Sequence, residues 1–159
     1  MNKIYILLGS NVGNSKSNLL IAQKYIEKQI GPVIRQSTLY ATAAWGNTNQ
    51  ADFLNQVIIV ASKLTAENAI VKILNIEHKM GRIRSVKNAP RLIDIDILFF
   101  NKQIIQKENL TIPHPAIQLR RFVLVPLNEL SPNFIHPVLY KTIHQLLFKC
   151  PDKLTVKKI

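Results

Sequence analysis

One segment of the chain, from Leu92 to Phe100, places a bulky apolar side chain at every second position. Side chains of a β-strand alternate between the two faces of a sheet. The segment therefore predicts a strand with one apolar face and a second face that carries acidic side chains. Asp94 and Asp96 share the second face, with Cα atoms about 6.5 to 7 Å apart from the strand rise. The residues predicted to face the core are Ile93, Ile95, Ile97 and Phe99.

Two carboxylates at this spacing suit a divalent metal. They can hold one cation, or two cations about 3.5–4 Å apart that share a bridging oxygen. Oxygen ligands of this kind are those that magnesium prefers. The alternative is an exposed strand face with two solvated aspartates. Asp is disfavoured in strands, and like charges at neighbouring positions of one face repel each other, so Asp94 and Asp96 require nearby cations or a metal.

A third carboxylate, Glu77, falls on the apolar stripe of a predicted helix that starts after Thr65. A carboxylate on the inward side of a helix is unfavourable unless it is paired or binds a ligand. The alternative is that Glu77 lies at a frayed helix end and reaches water. The stripe that Glu77 continues consists of Ile70, Ile73 and Leu74.

Basic residues flank the acidic strand on both sides in sequence. Guanidinium groups donate in a planar fork that matches phosphate oxygens, and a metal site beside several arginines is what phosphoryl transfer requires. The chain has no glycine-rich phosphate loop of the Walker type, so a nucleotide would bind through arginines and metal. The alternative for each arginine is a solvated surface position. The basic positions are Arg82, Arg84, Arg91, Arg120 and Arg121, with His114 ahead of the last two.

The order of predicted elements indicates an α+β sandwich of the split βαβ type, because two strands follow each other between two helices. We predict one domain over residues 1–159. The predicted elements are a strand at Ile4–Leu8, a helix ending at Gly31, strands at Val33–Thr42, Phe53–Ser62 and Leu92–Phe100, a helix from Thr65 to Met80, a hairpin turn at Asn101–Gln103 into Ile104 and Ile105, and a short helix at Thr142–Phe148.

Composition narrows the class of protein. The chain has 21 Lys and Arg against 9 Asp and Glu, a net charge of +12 that attracts nucleotides, nucleic acids or acidic membranes, unless it reflects compositional bias alone. A single cysteine, Cys150, fits a reducing compartment. Because no apolar run reaches the roughly 20 residues of a membrane span, we expect a soluble cytoplasmic protein that needs no membrane.

Five segments occur in an order typical of one enzyme family. They are Leu8-Gly9-Ser10-Asn11, Phe53-Leu54-Asn55-Gln56, Glu77 through Gly81 to Arg84, Pro90-Arg91 through Asp94 and Asp96 to Leu98, and Pro113-His114-Pro115 through Arg120-Arg121-Phe122 to Leu127. Along almost the whole chain, this pattern resembles the 6-hydroxymethyl-7,8-dihydropterin pyrophosphokinases.

The resemblance implies a monomer with a ferredoxin-like α+β fold and a mostly antiparallel sheet. It also implies transfer of pyrophosphate from ATP to the pterin hydroxymethyl group, with release of AMP, in folate biosynthesis. Asp94 and Asp96 would hold two Mg²⁺ ions, and Arg82 and Arg91 would serve the phosphates. The implied ATP site consists of Glu77, Arg84, Ile97, His114 and Arg120. The implied pterin site consists of Thr42, Trp45, Phe53, Asn55 and Phe122, with the two phenylalanines on either side of the ring.

The chain departs from the family pattern in three places. Asn88-Ala89 stands where the family usually has Trp-Gly, Thr42-Ala43-Ala44 replaces a Thr-x-Pro segment, and Pro115 follows the histidine in place of a tyrosine. None of these positions is a predicted metal ligand.

Two other functions fit the basic charge. Ferredoxin-like sheets bind RNA through aromatic side chains, but the chain lacks the corresponding run of glycine and phenylalanine, and Asp94 and Asp96 would repel a phosphate backbone. We therefore expect no nucleic-acid partner. A two-metal nuclease would require magnesium-dependent hydrolysis of DNA or RNA, and we rank it below the kinase.

Overall fold

An antiparallel sheet forms the centre of the fold in a computed structural model that describes residues 1–43, 51–81 and 92–159. Within these ranges, four helices pack on this sheet. The elements are β1 (Asn2–Ser10), α1 (Ser15–Gln29), β2 (Val33–Gln36), β3 (Tyr40–Thr42), β4 (Phe53–Ser62), α2 (Ala66–Lys79), β5 (Asp94–Phe100), β6 (Ile105–Lys107), β7 (Leu110–Ile112), a 3₁₀ turn (Ile117–Leu119), α3 (Arg121–Leu130), α4 (Ile143–Phe148) and β8 (Val156–Lys158).

The sheet has the strand order β5-β1-β4-β3-β8, and β2 also pairs with β4. Its strand pairs are antiparallel. Helices α1 and α2 cover one face, where the apolar side chains of β1 and β4 meet Leu19, Ile26 and Ile73. Helices α3 and α4 cover the other face through Leu124 and Leu146. The predicted α+β class with helices packed on a mostly antiparallel sheet is confirmed.

The first two helices each begin at a residue whose side chain caps them. The side chain of Asn14 accepts a hydrogen bond from the Ser17 N–H at 3.0 Å, and the hydroxyl oxygen of Thr65 accepts one from the Asn68 N–H at 3.2 Å. Each satisfies an N–H that the first helical turn leaves without a backbone partner. Gly31 follows α1 because the backbone passes close to β4: a Cβ at Gly31 would lie 2.0 Å from the carbonyl oxygen of Ala61.

Two sequence predictions about strands were wrong in detail. Val33–Thr42 forms two strands, because Ser37 interrupts it and accepts the Val57 N–H on its own hydroxyl oxygen at 3.0 Å. The alternation in β5 holds only to Ile97. A bulge at Leu98 shifts the pairing with β1, so Phe99 lies on the face of α3 and α4 and not with the isoleucines.

The last third of the chain differs most from expectation. The residues after Asn101 do not form a hairpin with β5, since β6 pairs with β7 in a small separate sheet. The short helix at Thr142–Phe148 is confirmed as α4, with a complete capping box at Thr142. Helix α3 and strand β8 were not predicted. Within the three ranges that the structure describes, no helix has the length and apolar character needed to cross a membrane.

Candidate active site

Three residues from adjacent strands form a row across the face of the sheet that α3 covers. Asn55 of β4 pairs with Gly9 of β1, and Gly9 pairs on its other side with Asp94 of β5. Residues directly opposite each other in an antiparallel pair point to the same face, and neighbouring strands are about 4.8 Å apart. The row therefore places an amide and a carboxylate about 10 Å apart on one face, with a glycine between them.

Gly9, the middle residue of this row, is buried and lies close to the side chains of Asn55 and Phe53. A Cβ on Gly9 would lie 2.9 Å from Oδ1 of Asn55 and 3.7 Å from Cδ1 of Phe53. Asn55 is only 2% exposed, and its Nδ2 has no hydrogen-bond acceptor among the described residues. A buried amide donor without an acceptor is uncommon in folded proteins and is suited to a polar edge of a ligand. The row thus combines a closely packed glycine with a buried amide donor at one end and a carboxylate at the other.

Asp94 and Asp96 lie on the same face of β5, both half-buried, as the alternation predicted. Asp96 pairs with Leu7 of β1. The side chain of Ile97, predicted for the ATP site, lies in the core on the opposite face with α1 and α2. Only the backbone of Ile97 is therefore placed to contact a ligand on the side of the carboxylates.

Glu77 is buried, with 2% of its surface exposed, so the alternative of a frayed and solvated helix end is wrong. Its Oε2 accepts a hydrogen bond from the Ile95 N–H at 2.8 Å. Ile95 separates the two aspartates on β5, and β5 ends the strand order of the described sheet. Glu77 therefore supplies the acceptor that a further strand would otherwise provide at this position.

His114 lies at the same outer edge of β5, where its backbone N–H donates to the Leu98 carbonyl at 3.0 Å. Burial lowers the pKa of His114 to about 4, and the charge of Arg120 adds to this effect while Asp94 opposes it. The imidazole is therefore neutral at pH 7. Its Nδ1 accepts the Ala116 N–H at 3.1 Å, which assigns the remaining hydrogen to Nε2 as a donor.

A pocket of about 170 Å³ lies beside His114. Residues of the β6–β7 hairpin and of the segment after His136 line it, among them Gln106, Thr111, Val138 and Leu139. A larger cleft of about 430 Å³ lies between α1 and the β2–β3 region and contains none of the predicted site residues. It is lined by Gln56, whose side chain points to the opposite face from that of Asn55.

Arg120 and Phe122 lie at the start of α3, over the face that carries Asn55 and Phe53. The guanidinium carbon of Arg120 is 5.8 Å from the centre of the Phe122 ring. This contact places a cation and an aromatic ring at the same end of α3. Phe122 and Phe53 are both partly exposed, as required of side chains that would stack on a ligand.

Thr42 is only 3% exposed, and its hydroxyl donates to the Thr155 carbonyl at 3.2 Å. Thr155 belongs to a segment without any motif that indicates a function. The predicted site residues Trp45, Arg82, Arg84 and Arg91 lie outside the described residues. The structure thus brings Asp94, Asp96, Asn55 and Phe53 to one face, while it places Glu77 and the Ile97 side chain elsewhere.

Comparison with known proteins identifies the family. Residues 5–132 match the family described as 7,8-dihydro-6-hydroxymethylpterin-pyrophosphokinase (HPPK). The chain is also 38% identical over 145 residues to the 2-amino-4-hydroxy-6-hydroxymethyldihydropteridine pyrophosphokinase of Aquifex aeolicus, with 91% of this chain and 90% of that protein covered. The chain belongs to the HPPK family.

The chain also matches part of two longer proteins. It is 37% identical over 151 residues to the Folic acid synthesis protein FOL1 of Dictyostelium discoideum, where 95% of this chain covers 23% of that protein. The fold matches wild-type Plasmodium falciparum HPPK-DHPS, solved with pterin and p-hydroxybenzoate, with a TM-score of 0.76 and 21% identity over 93% of this chain and 41% of that chain.

Membership of the HPPK family confirms the resemblance drawn from the motifs, including the class of enzyme, a pyrophosphokinase that uses ATP. The match to the Plasmodium structure confirms the predicted ferredoxin-like fold. The roles of individual site residues stay predictions.

Proposed function

We propose that this HPPK-family chain transfers the pyrophosphoryl group of ATP to the hydroxymethyl group of 6-hydroxymethyl-7,8-dihydropterin and releases AMP. The observation that carries the proposal is the row formed by Asp94, Gly9 and Asn55. It places Asp94, with Asp96 on the same face of β5, as carboxylates suited to metal-bound phosphates at one end, and a buried amide donor at the other end. A flat heterocycle with polar edges fits the second part, and a nucleotide polyphosphate fits the first.

The pterin would lie over Gly9, with its polar edge at Asn55. The buried Nδ2 of Asn55 would donate to a ring oxygen or nitrogen, which would give this amide the acceptor that it lacks among the described residues. Phe53 and Phe122 would pack on the two faces of the ring, because offset stacking on a heterocycle is favourable for aromatic side chains. This arrangement directs the hydroxymethyl group toward Asp94.

The donor set fits magnesium. No cluster of three or more His, Cys, Asp or Glu suited to a metal occurs among the described residues. Magnesium is usually bound by one or two carboxylates together with substrate phosphates and water, which matches Asp94 and Asp96. We propose two ions there. When bound, such ions neutralise the charge on the phosphate oxygens during transfer.

The remaining side chains would hold and orient ATP. Neutral His114 would donate from Nε2 to a phosphate oxygen, and Arg120 would supply a positive charge beside it. The pocket next to His114 would accept part of the nucleoside. Arg82, Arg84 and Arg91 are proposed to contact the phosphates, and the backbone of Ile97 the base.

In the reaction, the hydroxymethyl oxygen forms a bond to the β-phosphorus of ATP while the bond from that phosphorus to the α–β bridging oxygen breaks. AMP leaves with the bridging oxygen, and the hydroxyl proton is released. The chain contributes alignment and charge neutralisation, which account for most of the catalysis of phosphoryl transfer. Action as a monomer in the cytoplasm, without nucleic acid or membrane, stays a prediction.

The products of the reaction test the proposal. Purified protein is incubated with ATP, Mg²⁺ and 6-hydroxymethyl-7,8-dihydropterin, and nucleotides and pterins are separated by HPLC. We expect AMP and pterin pyrophosphate in equal amounts. Formation of ADP with a pterin monophosphate, or no consumption of ATP, would exclude the proposed transfer.

A further inference from the structure

Residues 152–159 contact both sides of the proposed pterin site. On one side, Oδ2 of Asp152 accepts a hydrogen bond from the Arg121 N–H at 3.0 Å, while Oδ1 accepts the Leu154 N–H at 3.0 Å. Arg121 is the first residue of α3 and lies between Arg120 and Phe122. Asp152 is thus hydrogen-bonded to the backbone between Arg120 and Phe122.

On the other side, the same segment forms strand β8 along β3. Thr42 pairs with Val156, Tyr40 pairs with Lys158, and the Ile159 N–H donates to the Leu39 carbonyl at 3.0 Å. The hydroxyl of Thr42 donates to the Thr155 carbonyl at 3.2 Å. Strand β3 has only three residues, so β8 supplies much of the hydrogen bonding that orients Thr42.

Helix α3 needs an acceptor from outside its own sequence. Arg120 occupies its N-cap position and provides no side-chain cap, and the first turn contains no acidic residue. The first N–H groups of a helix lack backbone partners and carry a partial positive charge, so a carboxylate is stabilising there. Asp152 is therefore both the cap of α3 and its link to β8, three residues before Thr155.

We propose that residues 152–159 position the pterin pocket, with Asp152 as the positioning residue that sets the start of α3 against β3. The proposal rests on the proposed function, since it assumes that Phe122 and Thr42 flank the pterin. The segment itself touches no reacting atom. Its contribution is to hold the two flanking elements at a fixed separation before substrate arrives, which reduces the ordering needed on binding.

The first test is Asp152→Ala in the full chain, measured by steady-state kinetics for each substrate. We expect the KM for the dihydropterin to rise about tenfold, on the scale of a lost helix cap. The KM for ATP should rise by less, because Arg120 is only one part of the proposed ATP site. Glu27→Ala is the matched control, because it also removes one negative charge but from the exposed outer side of α1 on the opposite face. We expect wild-type KM values for this control.

A second pair of variants tests β8 through its backbone. Proline lacks the N–H that a strand ladder requires, so Lys157→Pro should detach β8 from β3 and raise the KM for the dihydropterin as Asp152→Ala does. Lys157→Ala keeps the backbone N–H and removes the same exposed side chain. We expect Lys157→Ala to bind the dihydropterin as the wild type does.

Calorimetric titration with the dihydropterin, in the presence of Mg²⁺ and a non-hydrolysable ATP analogue, measures binding of the dihydropterin without turnover. Weaker binding in Asp152→Ala and Lys157→Pro, with thermal unfolding close to the wild type, is the expected result. Wild-type binding in both variants, or an equal loss of ATP and dihydropterin binding, would overturn the inference. If Asp152→Ala does not fold, Asp152→Asn, which keeps one acceptor oxygen, decides between these outcomes. Absence of AMP formation by the wild type would instead refute the proposed function.

Discussion

The carboxylate of Glu77 accepts a hydrogen bond from the backbone N–H of Ile95, the residue between Asp94 and Asp96. The bond joins α2 to the outer edge of β5, and its two partners are buried. A buried carboxylate that accepts from a backbone N–H restrains that stretch of strand, because a misplaced strand would leave both groups without their partner. Glu77 therefore holds the segment that carries the proposed metal ligands, on the opposite face from the ligands themselves.

Replacing Glu77 should change the response to magnesium. We expect Glu77→Ala to raise the Mg²⁺ concentration for half-maximal activity about tenfold and to lower stability by about 1.5 to 3 kcal/mol, the usual loss for a hydrogen bond to a charged group. Glu77→Gln keeps an acceptor oxygen and should restore most of the magnesium response. The measurement is initial rate against Mg²⁺ at saturating ATP and dihydropterin.

The matched control for this prediction is Glu67→Ala, on the same helix. Glu67 is exposed and pairs with Lys107 at 2.7 Å, far along α2 from Glu77. The control should leave the magnesium response unchanged. A magnesium response in Glu77→Ala equal to that of the control would show that Glu77 does not restrain β5.

Gly9 offers a steric test of the pterin position. An alanine there would bring its Cβ within 2.9 Å of Oδ1 of Asn55, a distance that forces the amide to shift. Gly9 lies in regular pairing between two strands, so the substitution adds little backbone strain. We expect Gly9→Ala to raise the KM for the dihydropterin at least about tenfold, a loss of about 1.4 kcal/mol, with a nearly unchanged KM for ATP.

Kinetics with each substrate varied in turn measures this effect. Asn55→Ala provides the comparison, since it removes the amide that the new Cβ would displace. If Gly9→Ala binds the dihydropterin normally, the ring does not lie over β1.

His136 should make stability depend on pH. It is 4% exposed, and its Nδ1 accepts N–H groups from Val138 and Leu139, both at 3.1 Å. Burial lowers the pKa of His136 below its ordinary value of 6.5, so the unfolded chain binds a proton more readily than the folded one. The contribution of neutral His136 to the free energy of unfolding is therefore complete above about pH 6.5. It is lost as the pH falls from there toward the lowered pKa of the folded state.

Urea unfolding at pH 5, 6 and 7 measures this dependence. We expect His136→Gln to flatten the fall in unfolding free energy between pH 7 and 5 relative to the wild type. The pH dependence contributed by His114, whose pKa burial lowers to about 4, is present in both proteins. An unchanged slope in His136→Gln would show that this imidazole is protonated in the folded state as well.

The acidic face of β5 could be predicted from the sequence because alternation is a local property of a strand. The same rule failed at Phe99, since the bulge at Leu98 arises from the pairing with β1. Glu77 is buried, as one of the two alternatives for the stripe of α2 predicted, although Leu74 of that stripe is exposed. Its partner Ile95 is 18 positions away, and only the packing of α2 on β5 brings them together.

The row from Asp94 through Gly9 to Asn55 could not be derived from spacing, because it depends on the order β5-β1-β4. Strand β8 was missed for a similar reason. Its three residues have no pattern of their own and are ordered by pairing with β3. Helix α3 was missed because it contains Pro126, and proline is unfavourable inside a helix. Asp152 carries no sequence signal of a cap, since the helix that it caps begins 31 positions earlier.

The most direct test of the central claim is AMP formation by Asp96→Ala at saturating ATP, dihydropterin and Mg²⁺, with Glu108→Ala as an exposed carboxylate control. The account predicts that AMP formation falls by about a thousandfold or more in Asp96→Ala, with thermal unfolding close to the wild type, because the phosphates lose a ligand of their metal. The control should retain full activity. Wild-type rates in Asp96→Ala would contradict the assignment of the β5 carboxylates as the metal site of this pyrophosphokinase.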